Sequence, residues 1–251
     1  MRFRTMEDGL RVYMNPHDYQ TMLDSAESRR AEVVMQSMGD IGLRVSECVS
    51  EHFTMANIRE STDPDVNISF LRLYSKDTKS RETDGKRRDA WVPPSTIERL
   101  EEYQDNEGFA DDRRIFMCTK RTLQREVNES SENAAVMEGN SDYEHISCHD
   151  FRAYFATNMA LREGVDIETV MTLGGWEDRE SMDPYLDANF DDIIQEQLAL
   201  AGLLNEDIGV QSDYERLRQE IQNLREAVEG LDVDVSIPEP GDGQRGITDF
   251  S

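Results

Sequence analysis

A mainly helical α+β domain with a small β-hairpin or sheet is the architecture this sequence predicts, followed by a short coiled coil and a tail. Three observations lead there. Residues 147–185 read as three consecutive short helices separated by caps and glycines. Residues 68–76 and 88–92 read as two short strands, the second ending at Pro93. The stretches 29–38, 95–104 and 119–137 read as further helices. At 251 residues the chain is long enough for a substantial core, as one large domain or one domain with appendages.

Taken in order, residues 1–14 read as a short polar leader. Asn15-Pro16 then starts a helix, Asn at the cap and Pro at the first position, leading into Tyr19, Met22 and Leu23. The next helix turns Val33, Val34 and Met38 inward, and Gly39 and Gly42 are expected to break it. Arg44 opens the following helix, where backbone N–H groups and a guanidinium fork would converge on one phosphate. Taken alone, such an arginine is more often a surface residue. The polar connection 77–85 ends in an Asp84-Gly85 turn signal. On the helix at 119–137, Arg121 and Arg125 fall four residues apart, either facing a DNA backbone or lying on an ordinary solvated face.

Ser147, with Asp150 three residues on, makes a capping-box start. His149 and Arg152 then leave one face of the same helical turn. Phe151, Tyr154, Phe155 and Met159 form the apolar stripe that anchors that helix. Gly164 ends it, Asp166 caps the next, and Gly174-Gly175 ends that in turn. Ser181 opens a last short helix carrying Tyr185. An apolar helix is expected at 191–204, and Tyr214, Leu217, Ile221, Leu224, Val228 and Leu231 recur at coiled-coil spacing. The expected division is therefore a leader at 1–14, a main domain at 15–205, a short coiled-coil helix at 206–231 and a flexible acidic tail at 232–251.

Charge constrains the partners. The net charge is −26, from 53 acidic and 27 basic residues. Taken alone, so acidic a surface repels nucleic acid. It also fits adaptation to concentrated salt, where the Debye length falls to roughly 3 Å at 1 M. The dispersal of the acidic residues along the chain favours the second explanation. Cys48, Cys118 and Cys148 are too scattered for a disulfide framework or a zinc cluster, and Cys148 reads as a small buried thiol. No apolar run approaches the roughly 20 residues that span a bilayer, and no hydrophobic signal core opens the chain. A soluble, cytoplasmic protein is expected.

Four elements then fall in a telling order: Gly42-Leu43-Arg44-Val45-Ser46-Glu47, His149-Asp150-Phe151-Arg152, Leu173-Gly174-Gly175-Trp176, and Tyr185 nine residues after Trp176. Together they resemble the tyrosine recombinase (phage integrase) family, and look most like its haloarchaeal branch. The similarity runs from about Asn15 to Leu204. It implies a tyrosine-recombinase-like catalytic domain with Arg44, Lys76, His149, Arg152, Trp176 and Tyr185 as the catalytic set. The hairpin resembles the one that presents a catalytic lysine in that family. Three of the chain's four lysines, Lys76, Lys79 and Lys86, lie there in a protein that otherwise uses arginine, and lysine can give up its proton where arginine in practice cannot. Lys76 corresponds best by position; the longer loop leaves Lys86 as a competitor, and Lys79 reads as a solvated tip. Glu47 either orients one of the site's cations or is a solvated glutamate.

The implied function is site-specific DNA cleavage and rejoining through a 3′-phosphotyrosyl intermediate, metal-independent and without cofactor. The implied partners are double-stranded DNA and further copies of the chain in a tetrameric synapse. Most family members close a clamp around DNA with a helical domain ahead of the catalytic one. The residues before Asn15 are too few for one, so a minimal recombinase, one working with an accessory DNA-binding protein, or a truncated relic is expected. A non-catalytic DNA-binding regulator and a type IB topoisomerase-like relaxing enzyme are the alternatives.

Overall fold

The computed structural model describes residues 2–6, 9–61, 68–74 and 87–186, with Ile194 and Leu198 beyond them, and side chains from Val12 onward apart from Arg87. The hairpin lysines Lys76, Lys79 and Lys86, the helix expected at 191–204 apart from Ile194 and Leu198, the coiled coil and the tail lie outside this description.

The stretch expected as a leader is an antiparallel hairpin instead. Strand β1 (Arg2–Met6) pairs with β2 (Gly9–Tyr13), from Met6 opposite Gly9 to Arg2 opposite Tyr13. The arginines at 2, 4 and 11 occupy the polar positions of a period-two alternation, Arg2-Phe3-Arg4 and Leu10-Arg11-Val12, too short to separate from a polar leader in the sequence. Helix α1 (Pro16–Asp24) follows with the expected cap: the Asn15 side chain accepts from the Asp18 amide at 2.8 Å, and Asp18 accepts from the Asn15 amide at 3.0 Å. Helix α2 (Arg29–Asp40) runs through Gly39 rather than stopping there. That glycine is needed for packing, since a Cβ on it would sit 2.4 Å from the Tyr19 ring. The break falls at Gly42, with φ +73° and Phe155 against its Cα. Helix α3 (Val45–Cys48) opens with Arg44 as its cap residue.

A three-stranded antiparallel sheet comes next, in the order β3 (Ile58–Glu60), β4 (Ser69–Tyr74), β5 (Arg87–Val92). Strand β3 was not foreseen; three residues carry no readable periodicity. Leu71, Leu73, Ala90 and Val92 point into the core at alternate positions, and Arg72 pairs with Asp89 across the strands at 3.0 Å. Helix α4 (Pro94–Glu107) starts on a proline and ends at left-handed Gly108. Helix α5 (Lys120–Glu138) starts from Thr119, whose hydroxyl accepts from the Thr122 amide, and ends at Gly139. A 3₁₀ turn, Ser141–His145, leads from it toward the next helix.

Helix α6 (Cys148–Thr157) carries the expected capping box and passes into a π-turn, Asn158–Arg162. Helix α7 (Ile167–Gly174) is capped by Asp166, and α8 is the single turn Asp183–Leu186. Ser181 does not open α8; its amide and hydroxyl bind the Asp178 carboxylate, and the helix begins two residues later.

Helix α6 is the keystone because it is apolar on two sides. Phe151 and Tyr154 join the main core with α1, α2 and the sheet, whereas Ala153, Phe155 and Ala156 join a second cluster with Val170, Met171, Met182 and Tyr185. Full burial of one such aromatic contributes roughly 1.5–3 kcal/mol. The helix is therefore fixed between two cores, and the residues on it inherit that rigidity. Among the described residues no helix is long and apolar enough to cross a membrane.

Candidate active site

Four segments outside its own helix converge on Arg152: residues 42–47, 88, 174–176 and 185. Its side chain is buried, 3% exposed, inside α6. One guanidinium nitrogen donates to the Gly42 carbonyl, a second to the Gly174 carbonyl at 2.7 Å, and its carbon lies 3.9 Å from the Trp176 ring centroid. Two of five N–H donors are so engaged. Burial above all, then the charges of Arg44 and Arg88, pull its pKa down to about 9, while Glu47 and Tyr185 oppose the shift. It remains a cation at neutral pH, held where an added negative charge would be strongly favoured.

Arg44 is the exposed member. It donates to the Gly175 carbonyl at 3.1 Å and to Glu47 at 3.3 Å. Glu47 is the inner brace: it accepts from the Arg44 amide at 2.7 Å and takes a two-point grip from Arg88, 3.2 Å from Nε and 2.6 Å from a terminal nitrogen. Burial alone would raise the Glu47 carboxyl, but Arg88, with help from Arg152 and the Arg44 amide, holds it below the usual carboxylate range. Three guanidiniums thus surround one carboxylate, a net positive focus in an acidic protein.

The turn after α7 is shaped by two glycines. A Cβ on Gly174 would lie 1.8 Å from the Trp176 ring, and Gly175 has φ +68° with the Arg88 side chain against it. These glycines let Trp176 fold back, stacked on Phe155 and edge-on to Tyr185 with centroids 5.6 Å apart. Tyr185 is buried, 6% exposed, and its hydroxyl lies 2.9 Å from His149 Nε2. His149 itself is exposed at the start of α6.

Arg44, His149 and Arg152 share a cleft of about 320 Å³ with Ser46, Lys120 and Gln124. A shallower groove of about 410 Å³ continues along α5 past Arg121, Gln124, Arg125 and Asn128. Cys148 lines the cleft, but burial pushes its thiol up to about 12, so it is not a thiolate there. Among the described residues the structure brings together Arg44, Glu47, His149, Arg152, Trp176 and Tyr185. Lys76 and Lys86 fall outside the description.

Two residues of the site, Arg88 and Lys120, stand outside the sequence motifs. Arg88 shares the inward face of β5 with Ala90 and Val92, and that parity could have marked it as a cation aimed at the interior. Besides Glu47 it binds the Leu173 carbonyl, so it joins the hairpin to both motif turns. Lys120 had no periodic signal; it reaches the cleft because α5 begins beside α3 and α6.

A single-turn tyrosine helix beside an arginine-lined cleft, on a helical domain with a three-stranded sheet, defines the catalytic-domain fold of the tyrosine recombinases. The phage integrase family profile matches residues 13–192, and the chain belongs to that family. Its fold is similar to that of XerA recombinase (TM-score 0.56, 18% identity, 76% of this chain and 65% of that one). It is also similar to XerH site-specific recombinase bound to palindromic difH substrate (TM-score 0.55, 16% identity, 74% and 52%). A third likeness is to the integrase of the Tn1549 transposon in complex with transposon right-end DNA (TM-score 0.51, 13% identity, 75% and 65%). The chain thus spans about half to two thirds of the length of these proteins. Among curated proteins none matches the sequence.

Proposed function

We infer that the protein cleaves and rejoins DNA strands through Tyr185, in site-specific recombination or integration. The observation that carries this reading is the Tyr185 hydroxyl 2.9 Å from His149 Nε2, beside the cleft that His149 shares with Arg44 and Arg152. A phosphodiester repels nucleophiles by its own charge, so the site must neutralise the nonbridging oxygens as the pentavalent transition state forms. Arg44 and Arg152 supply two planar forks for them. His149 accepts the phenol proton as the Tyr185 oxygen bonds to phosphorus. The bond to the 5′ oxygen breaks, and that oxygen takes a proton from a lysine, Lys76 by position, with Lys86 as its competitor. Trp176 packs under Arg152 and offers one N–H to an oxygen. The 3′-phosphotyrosyl product keeps the bond energy for religation, and the sequence of proton transfers calls for no metal or nucleotide.

Double-stranded DNA is the substrate in this reading, with the groove along α5 contiguous with the cleft through Gln124. Several copies would act together on DNA, with or without an accessory DNA-binding protein. We take residues 15–205 as the catalytic domain, 206–231 as a short coiled coil and 232–251 as a tail. The acidic surface fits a cytoplasmic protein working in concentrated salt, as in the haloarchaeal branch of the family.

The test is incubation in molar salt with a nicked suicide substrate. A covalent adduct lost in Tyr185→Phe is expected. Binding without adduct would favour a regulator, and relaxation of supercoils without exchanged products a topoisomerase-like enzyme.

A further inference from the structure

Helix α8 is one turn long, and a single turn has almost no stability of its own. The position of the Tyr185 hydroxyl must therefore be set by contacts from elsewhere. One comes from α6, where the Thr157 hydroxyl donates to the Tyr185 carbonyl at 3.3 Å. Another comes from the opposite end of the chain. Tyr13, at the end of β2, is 5% exposed, and its phenol donates to the Pro184 carbonyl at 2.5 Å. One residue earlier, the buried Val12 amide donates to the Asp150 carboxylate at 3.1 Å. The same carboxylate caps α6 through the amide and hydroxyl of Ser147, at 2.8 and 2.7 Å. Two successive residues of one strand thus grip the two catalytic helices, one residue away from Tyr185 and one residue away from His149.

We propose that Val12-Tyr13 is a latch that holds α8 against α6, and that Tyr13 is a positioning residue for strand cleavage, acting through the Pro184 carbonyl. The proposal rests on the reading of Tyr185 as nucleophile. The carbonyls at the end of a helix have no partner within it, so an outside donor fixes such a turn at little cost to its own bonding. A displacement near 1 Å at a nucleophile can cost about 10²-fold in rate. A partial release of α8, with other anchors intact, gives a smaller loss.

The experiment uses the full chain, with Tyr13→Phe keeping the ring in its pocket and removing only the donor. Three quantities are read: single-turnover cleavage of the nicked substrate, affinity for intact duplex by fluorescence anisotropy, and hydrogen exchange of the peptide holding residues 183–186. A cleavage rate lowered roughly tenfold, with affinity within about twofold and faster exchange at 183–186, is expected. Cleavage and exchange equal to wild type would overturn the latch. Equal losses of rate and affinity would overturn it too, because Tyr13 would then be a general scaffold residue. If an adduct persists in Tyr185→Phe, the nucleophile assignment has failed, and the exchange measurement still decides whether Tyr13 holds α8.

Discussion

Removing Arg88 separates the structural and chemical roles of the cations around Glu47. The two side chains are 12% and 18% exposed and share two hydrogen bonds, of 3.2 and 2.6 Å. Taking one partner from such a pair leaves the other charge stranded, at a cost of roughly 3–5 kcal/mol when fully buried. Partial exposure and the remaining Arg44 contacts place Arg88→Met near the lower end, about 3 kcal/mol. For a chain of this size that lowers the melting temperature by roughly 6–12 °C. The penalty has a defined pH dependence. In the native protein the Glu47 carboxyl is held below its usual range. The pair therefore stabilises the fold above the ordinary carboxylate pKa, and that stability is lost as pH falls through the depressed folded value. Without Arg88, burial dominates and pushes the carboxyl up, so protonation relieves the stranded charge. The difference between variant and native protein should be full at neutral pH and shrink as pH falls through the raised value. Thermal melts at neutral pH and near ~4.5, repeated in a Glu47→Gln background, measure this. Buried pairs are little screened, so molar salt does not blur it. A drop under ~2 °C, a penalty equal at both pH values, or one that persists undiminished beside Glu47→Gln would refute the reasoning.

Arg44→Ala or Arg152→Ala should lower cleavage by ~10²-fold to ~10³-fold and DNA affinity far less, because each acts on charge that grows in the transition state. Arg44→Lys should rescue poorly, and full activity in it would sink the two-fork arrangement. If a lysine protonates the leaving oxygen, its replacement by alanine should slow a substrate with a 5′ oxygen leaving group and spare one with a 5′ sulfur. Comparing Lys76→Ala, Lys86→Ala and Lys120→Ala on both substrates assigns the role, and equal defects on both exclude that lysine as the acid. Gly174→Ala should displace the Trp176 ring, since the new Cβ would lie 1.8 Å from it. The expected readout is a shift in tryptophan fluorescence with a loss of cleavage, and an unchanged spectrum would show that the turn yields elsewhere.

How much of this site is legible in the sequence follows from how each residue is placed. His149, Arg152 and Tyr185 sit on short helices and Trp176 on the glycine turn that ends α7, so their spacing survives as a readable motif. Arg44 and Glu47 form one capping turn, and for the same reason their pairing is visible three residues apart. Strand parity marks Arg88 as facing inward but not as part of the site, because its partners are 41 and 85 residues away and are defined by sheet packing. Tyr13 was hidden more thoroughly. The alternation Leu10-Arg11-Val12 in its strand is too short to stand out from a polar leader, and its contact spans 171 residues. Gly39 erred in the other direction: a glycine that reads as a helix stop serves close approach to Tyr19 instead. The legible residues are those whose geometry is set within a turn or two of chain, and apart from Glu47 they are the groups assigned to the chemistry at the phosphate. The residues that hold those groups in place come from distant strands. A motif can therefore nominate the chemistry of such a site, whereas its rigidity, on which the placement of the Tyr185 oxygen depends, is written in pairings that only the fold brings together.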